Sequence, residues 1–409
     1  MSLKKQPNIL VLGAGMVGSA IALDLAETYP VTAADISASA LAPLKGRIKT
    51  LRCDLSDRTW LKKLAAKYEL VIGAVPGHMG FKTARTVIEA GRPLVDISFF
   101  PEDAFLLNRL AEARGVTAIV DCGIAPGFSN MIAGYHHQLM CITSFTCYVG
   151  GIPKNPEPPF YYKAPFSPID VIEEYTRPAR LMVDSVEVIK EPLTDVETLY
   201  FKNIGHLEAF NTDGLRTLLQ TVSIPNMKEK TLRYPGHAEK IQLLRKAGFF
   251  SQTPVMVNGK KITPFDMTAA LLFPLWKLKP GEPEYTLMRI VLHGHENGQQ
   301  VEYRYALFDT YDEKTGITSM ARTTGYTCTA VARLVAEGIY TQPGISPPEY
   351  VGARSICFDY ILRYLKTKGI RITRKKKVIK EATPPQTSPG SPYTRSASAA
   401  IKPLRTGRK

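Results

Sequence analysis

Asn8-Ile-Leu-Val-Leu12 runs directly into Gly13-Ala14-Gly15-Met16-Val17-Gly18, and Ser19-Ala-Ile-Ala-Leu-Asp-Leu-Ala26 follows. The first run is short and apolar, as a buried strand is; the last has helical spacing. A second strand-like run, Val31 to Ala34, ends on Asp35. Each glycine between the runs has a steric task. Gly13 permits the tight turn, Gly15 lets main chain approach a pyrophosphate, and Gly18 lets the helix pack on the strand. The helix N-terminus would turn free N–H groups and a positive dipole end toward the phosphates, beside Met16 and Val17. Asp35 can accept both ribose hydroxyls and would repel a 2′-phosphate, so NAD is expected rather than NADP. The glycine spacing also occurs in turns of other α/β proteins; the strand, helix, strand and acid around it are what specify a dinucleotide here.

Outward from this unit, strand and helix signals alternate through the first third, as a parallel sheet with crossover helices requires. Strands are expected over 47–52, 70–75, 93–97 and 117–121, with helices over 58–67, 80–90 and 101–113. In a doubly wound sheet, ligands sit beyond the carboxyl ends of the strands. One rim therefore gathers Asp35, Asp54-Leu55, Val75-Pro76-Gly77, Asp96 with Ser98, and Asp121-Cys122. Asp54 and Leu55 would lie by the adenine, and Val75, Pro76 and Gly77 by the pyrophosphate or nicotinamide ribose. Asp96, Ser98, Asp121 and Cys122 would face the nicotinamide and substrate. The competing reading of any rim aspartate is a helix N-cap, and Asp54 before Ser56 and Asp57 fits that as well.

After Pro126-Gly127 the alternation stops. Residues 129–139 read as a helix, and strand-like runs at 143–149, 197–201, 285–293 and 300–309 are mixed with short helices. Gly150-Gly-Ile-Pro-Lys-Asn-Pro-Glu-Pro-Pro159 reads as an ordered loop outside regular structure. Met320 to Glu337 reads as a helix interrupted at Gly325, and Tyr350 to Lys368 as a last amphipathic helix. The fold class is thus α/β, a doubly wound parallel sheet with an inserted α+β substrate and dimerisation domain. The expected divisions are 1–125 for the dinucleotide domain, 126–340 for the substrate domain, 341–370 for a helix returning to the first domain, and 371–409 for a tail.

The totals agree with a globular chain. Of 409 residues, 44% are hydrophobic and 22% charged. No apolar stretch reaches membrane-spanning length. The six cysteines show no CxxC pair or regular spacing, so neither a metal site nor a disulfide framework is indicated, and a reducing, cytoplasmic location is expected. The formal charge of +15 sits largely at one end: from Arg371 to Lys409 there are eleven Lys or Arg against Glu381, a net of +10, leaving +5 for residues 1–370. With its prolines and hydroxyl residues, that tail reads as disordered and solvated, with no specific nucleic-acid role.

Taken together the motifs resemble the saccharopine dehydrogenase-like family, and within it the lysine-deaminating branch. They are GAGMVG (13–18), VPG (75–77), VDISFF (95–100), DCGIAPGFSN (121–130), GGIPKNPEPPFYYKAPFSP (150–168), EAFNTDGLRTL (208–218) and TLRYPGH (231–237). The resemblance implies a Rossmann domain, an inserted substrate domain, a C-terminal segment returning to the first domain, and a homodimer or homotetramer. Saccharopine-forming members differ at three places. They carry Asn-Arg-Asp-Ser where this chain has Asn211-Thr212-Asp213-Gly214, Cys where it has Val149, and they use NADPH. All three departures point to a smaller substrate with NAD.

The reaction so implied moves a hydride from the ε-carbon of L-lysine to NAD, and hydrolysis then releases ammonia and the 6-semialdehyde. It needs an anchor for the α-carboxylate, a proton acceptor for the amine, and exclusion of water. Arg233, beside Thr231, is the first anchor, with Arg216 as the alternative or as a partner of Asp213 or Glu208. Tyr162 and Lys163 lie on the loop whose family counterpart closes over substrate, and Ser98 faces it from the rim. Asp121 is the first candidate for the proton, with Asp96 and His237 as alternatives. The rival readings are a saccharopine-type or polyamine-type reductase that joins an amine to an aldehyde through an imine, and a non-catalytic NAD-binding protein.

Overall fold

The computed structural model describes residues 6–379. Its first layer is the expected parallel sheet. Strands β1 (Ile9–Leu12), β2 (Val31–Asp35), β3 (Lys49–Arg52), β4 (Leu70–Gly73), β5 (Leu94–Asp96) and β6 (Thr117–Ile119) are joined by helices, and β17 (Gly344–Ser346) adds to the edge. The order is β17-β6-β5-β4-β1-β2-β3, so chain direction across the sheet reverses between β1 and β4, where a ligand crevice opens. Each strand is a nearly unbroken apolar run because helices cover both faces; Ile9 to Leu12 are all fully buried.

The second layer is a mixed nine-stranded sheet of β7 (Cys141–Pro153), β8 (Ala179–Val183), β9 (Val186–Lys190), β10 (Glu197–Phe201), β11 (Gly205–Asn211), β12 (Asn226–Arg233), β15 (Glu284–Glu296), β16 (Gln299–Thr310) and β18 (Ile372–Val378). A separate hairpin joins β13 (Val255–Val257) to β14 (Lys260–Ile262). The helix Phe128–His137 links the two layers. Among the described residues, no helix is long and apolar enough to cross a membrane.

Four expectations give way. The stretch read as a loop from Gly150 is strand as far as Pro153, because β15 pairs it along its length and β12 pairs the strand just before it; cross-strand partners outweigh the local turn propensity of Gly-Gly-Ile-Pro. The helix Ser319–Ala336 passes through Gly325 unbroken, because it packs along the helix Met16–Ala26. This helix already lies on the first layer, ahead of residue 341. The last amphipathic run is two helices, Pro348–Gly352 and Ser355–Thr367.

The tail is the fourth correction. Ile372–Val378 pairs antiparallel with β16 from Leu307 to Val301. Lys376 Nζ reaches Glu296 at 2.9 Å. Basic residues on an edge strand also discourage further pairing. The rest of the expected disordered segment, 380–409, lies outside the described residues. A chain ending at residue 370 should therefore melt about 2–5 °C below one ending at 379 and aggregate more readily through bare β16. Thermal unfolding by circular dichroism checks this, and equal midpoints would remove β18 from the account.

Candidate functional site

One cavity of about 1140 Å³ opens where the carboxyl ends of the first sheet meet β7, β12 and the segment 273–281. Its cofactor end follows from the glycine turn. Gly13 has φ +100°, and a Cβ there would stand 2.3 Å from the Ala74 carbonyl oxygen. Gly15 caps the helix Met16–Ala26 with no side chain on the free N–H groups, and space around it is open. That bare, positively polarised main chain fits a pyrophosphate. Asp35 completes the fit: it is half-buried on the wall, its Oδ2 accepts from Ala14 N and its Oδ1 from Ser37 N, both at 2.7 Å. Met16, Val17, Gly18, Val75 and Pro76 also line the cavity.

Four expected cofactor residues do not line it. Asp54 is exposed and accepts from Ser56 N at 2.9 Å, a local turn bond that lowers its pKa. Leu55 packs in the core of the first layer. Gly77 gives its N–H to Asp170 at 3.2 Å. Cys122 is fully buried. Strands β4, β5 and β6 end at Gly73, Asp96 and Ile119, one or two residues before the expected ends, and of these four residues only Leu55 and Cys122 turn into the core.

Asp121 and Ser98 line the cavity, while Asp96 lies beneath. Asp96 accepts from Ser98 N at 2.7 Å and from Ser98 Oγ at 3.1 Å. Burial raises its pKa well above the carboxylate range. Asp121 pairs instead with Arg216, whose Nε lies 3.1 Å from Oδ2 and whose Nη2 donates to the Phe100 carbonyl at 2.7 Å. Both residues sit at positive φ, 50° and 53°, a strained backbone that surrounding contacts must hold. Arg216 is thus a partner of Asp121, and neither Asp213 nor Glu208 takes it. Asp213 is gripped by Arg180 at 2.9 and 3.1 Å.

Arg177, which sequence reasoning passed over, shares the Phe99 ring with Arg216; their guanidinium carbons stand 4.4 and 4.8 Å from its centroid. Arg177 lines the cavity, and its Nη1 has no hydrogen-bond partner among the described residues. Burial and then Arg216 lower its pKa.

Arg233 also lines the cavity, but its donors are committed. Nη2 pairs with Glu174 at 2.9 Å, Nε donates to the Tyr175 hydroxyl at 3.0 Å and Nη1 to its neighbour's carbonyl at 2.9 Å. The Tyr162 ring lies 4.4 Å below the guanidinium. Since Tyr175 accepts from Arg233, its own proton goes to His237 Nε2 at 2.9 Å, and His237 Nδ1–H donates to the Phe160 carbonyl at 2.9 Å. His237 is therefore fixed as a neutral tautomer, its pKa lowered to about 3 by burial and Arg233. It is fully buried and off the cavity wall, as is Tyr162. Lys163 turns away to the Leu275 carbonyl at 3.0 Å.

The residue sequence reasoning missed most plainly is Glu229. It lines the cavity from β12 with Thr231 and Thr212. Its Oε2 accepts from Thr212 Oγ1 at 2.7 Å, and Thr212 Oγ1 lies 2.9 Å from Thr231 Oγ1. Burial raises its pKa to about 8, with Glu174 and Asp213 adding to the effect. A strand's alternation was the available signal: Glu229, Thr231 and Arg233 are spaced by two and so share a face.

Comparisons with known proteins divide the chain near residue 120. The family model described as the saccharopine dehydrogenase NADP binding domain matches residues 9–119, and the saccharopine dehydrogenase C-terminal domain matches 123–370. Alpha-aminoadipic semialdehyde synthase of Arabidopsis thaliana is 27% identical over 241 residues, 53% of this chain and 22% of the relative. Saccharopine dehydrogenase (NADP(+), L-glutamate-forming) of Saccharomyces cerevisiae is 25% identical over 273 residues, 62% of this chain and 61% of the relative. The matches thus span between about a fifth and three fifths of the length of these curated relatives. Apo saccharopine dehydrogenase (L-Glu forming) from Saccharomyces cerevisiae superposes with a TM-score of 0.73 at 20% identity, over 91% of this chain and all of that one. Homospermidine synthase from Legionella pneumophila, in complex with NAD, does so at 0.64 and 13%, over 96% of each. At these identities the structures establish the shared fold.

Proposed function

The chain belongs to the saccharopine dehydrogenase family, and from that premise we propose that it oxidatively deaminates the ε-amine of L-lysine with NAD. The products are ammonia and 2-aminoadipate 6-semialdehyde, which cyclises to Δ1-piperideine-6-carboxylate. The observation that carries this reading lies at residue 212. Where the family resemblance leads one to expect an arginine for an extra carboxylate in saccharopine-forming members, this chain has Thr212, tied to Glu229 at 2.7 Å. The wall there ends in a carboxyl, which suits an ammonium rather than a second substrate carboxylate. Gly214, the other departure in that motif, makes the room: a Cβ on it would stand 2.3 Å from the Glu229 carboxyl.

NAD would supply the hydride acceptor, held by the Gly13–Gly18 turn and Asp35. Arg177, Lys277 and Lys279 line the same cavity and are cations that the α-carboxylate can meet. The same reading carries a cytoplasmic homodimer or homotetramer. All six cysteines are free, which suits a reducing compartment.

A second reading is a saccharopine-type or polyamine-type imine reductase using NADP. The names of the relatives favour it, as does Arg52, the register neighbour of Asp35 and a cation that a 2′-phosphate would seek. The two readings separate in one assay. Lysine-dependent NADH formation with stoichiometric ammonia supports deamination. NADPH oxidation only when lysine is supplied with an amino-acid semialdehyde overturns it. Asp35→Ser should raise the NADP+/NAD+ ratio of kcat/KM by about 10²-fold, since it removes the repelling carboxylate and leaves Arg52 in place. An unchanged ratio would take cofactor choice away from Asp35.

A further inference from the structure

The carboxyl groups on the cavity wall differ in what holds them. Asp121, Glu174 and Asp213 face guanidinium groups of Arg216, Arg233 and Arg180. Glu173 reaches Arg177 at 3.4 Å. Asp35 and Asp170 take main-chain N–H groups. A neighbouring cation lowers a carboxylate's basicity. Glu229 takes the Gly214 main-chain N–H and, as its side-chain donor, a hydroxyl, Thr212 Oγ1. No guanidinium or ammonium group is within salt-bridge distance of it among the described residues.

The direction of that bond orders the next one. Thr212 has a single hydroxyl proton and gives it to Glu229, so at the 2.9 Å contact Thr231 donates to Thr212. The Thr231 oxygen is then left with lone pairs beside the cavity. Glu229, Thr212 and Thr231 thus form a short chain of hydrogen bonds that begins at the cavity wall and ends in a basic oxygen.

We propose that Glu229 is the proton acceptor of the reaction, taking the proton of the substrate ammonium either directly or through Thr231 and Thr212. This rests on the amine-dehydrogenase reading above. In the relayed form, the ammonium proton bonds to Thr231 Oγ1, the Thr231 proton passes to Thr212, and the Thr212 proton passes to Glu229. Each O–H bond broken is replaced by one formed. The step converts R–CH2–NH3+ and Glu229–COO⁻ into R–CH2–NH2 and Glu229–COOH. The freed nitrogen lone pair can then form the C=N bond as the carbon gives up hydride, with NAD+ as the two-electron acceptor. Water hydrolyses the iminium. The sum is R–CH2–NH3+ + NAD+ + H2O → R–CHO + NADH + NH4+ + H+. A group that ionises near pH 8 suits this exchange, since it must accept the proton and later return it to solvent. His237 and Asp96 are excluded from the role, because both lie off the cavity wall.

The test is the pH profile of kcat/KM for wild type, Glu229→Gln and Thr212→Val, on the amine that wild type oxidises best. NADH binding by fluorescence serves as the folding control. Glu229→Gln should lose about 10²–10⁴-fold in kcat/KM and its acidic limb, while binding NADH like wild type. Thr212→Val removes the bond that favours the ionised carboxyl, so its acidic limb should move to higher pH. That second variant decides the matter if Glu229→Gln does not fold. Activity of Glu229→Gln within threefold of wild type, or an unmoved limb in Thr212→Val, overturns the assignment. If wild type oxidises no amine, the deamination reading fails by itself. Glu229 is then judged in the imine-reducing direction, where it must give the proton back and Glu229→Gln must show the same loss.

Discussion

Arg233→Ala should cost about 3–5 kcal/mol of folding stability, more than any loss of substrate affinity would suggest. The sequence makes this arginine a carboxylate anchor; the structure surrounds it. Glu174, Tyr175 and the Leu232 carbonyl take its N–H groups, and it is 2% exposed. Removing it strands the Glu174 carboxylate beside a cavity and unseats Tyr175, which in turn holds His237. For a chain of this size the melting point should fall by about 5 °C. The pH dependence has a definite sign. Burial raises the Glu174 pKa and Arg233 opposes that rise. Without Arg233 the folded-state pKa climbs further above the unfolded value. The variant's deficit should then be smallest near the unfolded carboxyl pKa and grow as pH rises through the folded one. Adding Glu174→Gln should recover part of the loss, because it removes the stranded charge. An unchanged melting point with a raised KM would restore the anchor reading, and thermal melts at several pH values with steady-state kinetics decide it.

The first layer was legible because its instructions are local. The glycine turn, the runs that alternate strand with helix, and Asp35 at the end of β2 are all fixed by spacing along the chain. The second layer takes its instructions from distant partners. Nothing near Gly150 says that Leu287 of β15 will arrive 137 residues later to pair it, and nothing in the basic run 372–378 says that β16 has an open edge. The site divides the same way. Gly13, Gly15, Met16, Val17 and Gly18 all line the cavity, since motif and geometry coincide there. Arg233 was recognised as important, but its role depends on Glu174 and Tyr175 from a helix some 58 residues earlier. Glu229 carried no motif at all. Its one signal was the spacing by two that puts it on the face of Thr231 and Arg233, and its role shows once Thr212 and Gly214 are seen to meet its side chain.

Gly13→Ala should weaken NAD(H) binding by at least about 10²-fold and destabilise the fold. At φ +100° an alanine is strained before any contact is considered, and its Cβ would lie 2.3 Å from Ala74 O and 2.8 Å from Ala74 C. Neither atom belongs to a flexible side chain, so the β1–helix turn must move away from β4. That displacement takes Ala14 N from Asp35 Oδ2, now at 2.7 Å, and misdirects the helix N–H groups that would meet the phosphates. Gly91→Ala separates backbone strain from site geometry. Gly91 also has positive φ, +69°, but nothing lies within 4 Å of its added Cβ. It should cost only about 1–2 kcal/mol and leave cofactor affinity unchanged. Fluorescence titration with NADH and thermal melts on both variants would decide. If Gly13→Ala bound NADH within threefold of wild type, the pyrophosphate would have to sit elsewhere than on this turn, and Asp35 would lose its assignment with it.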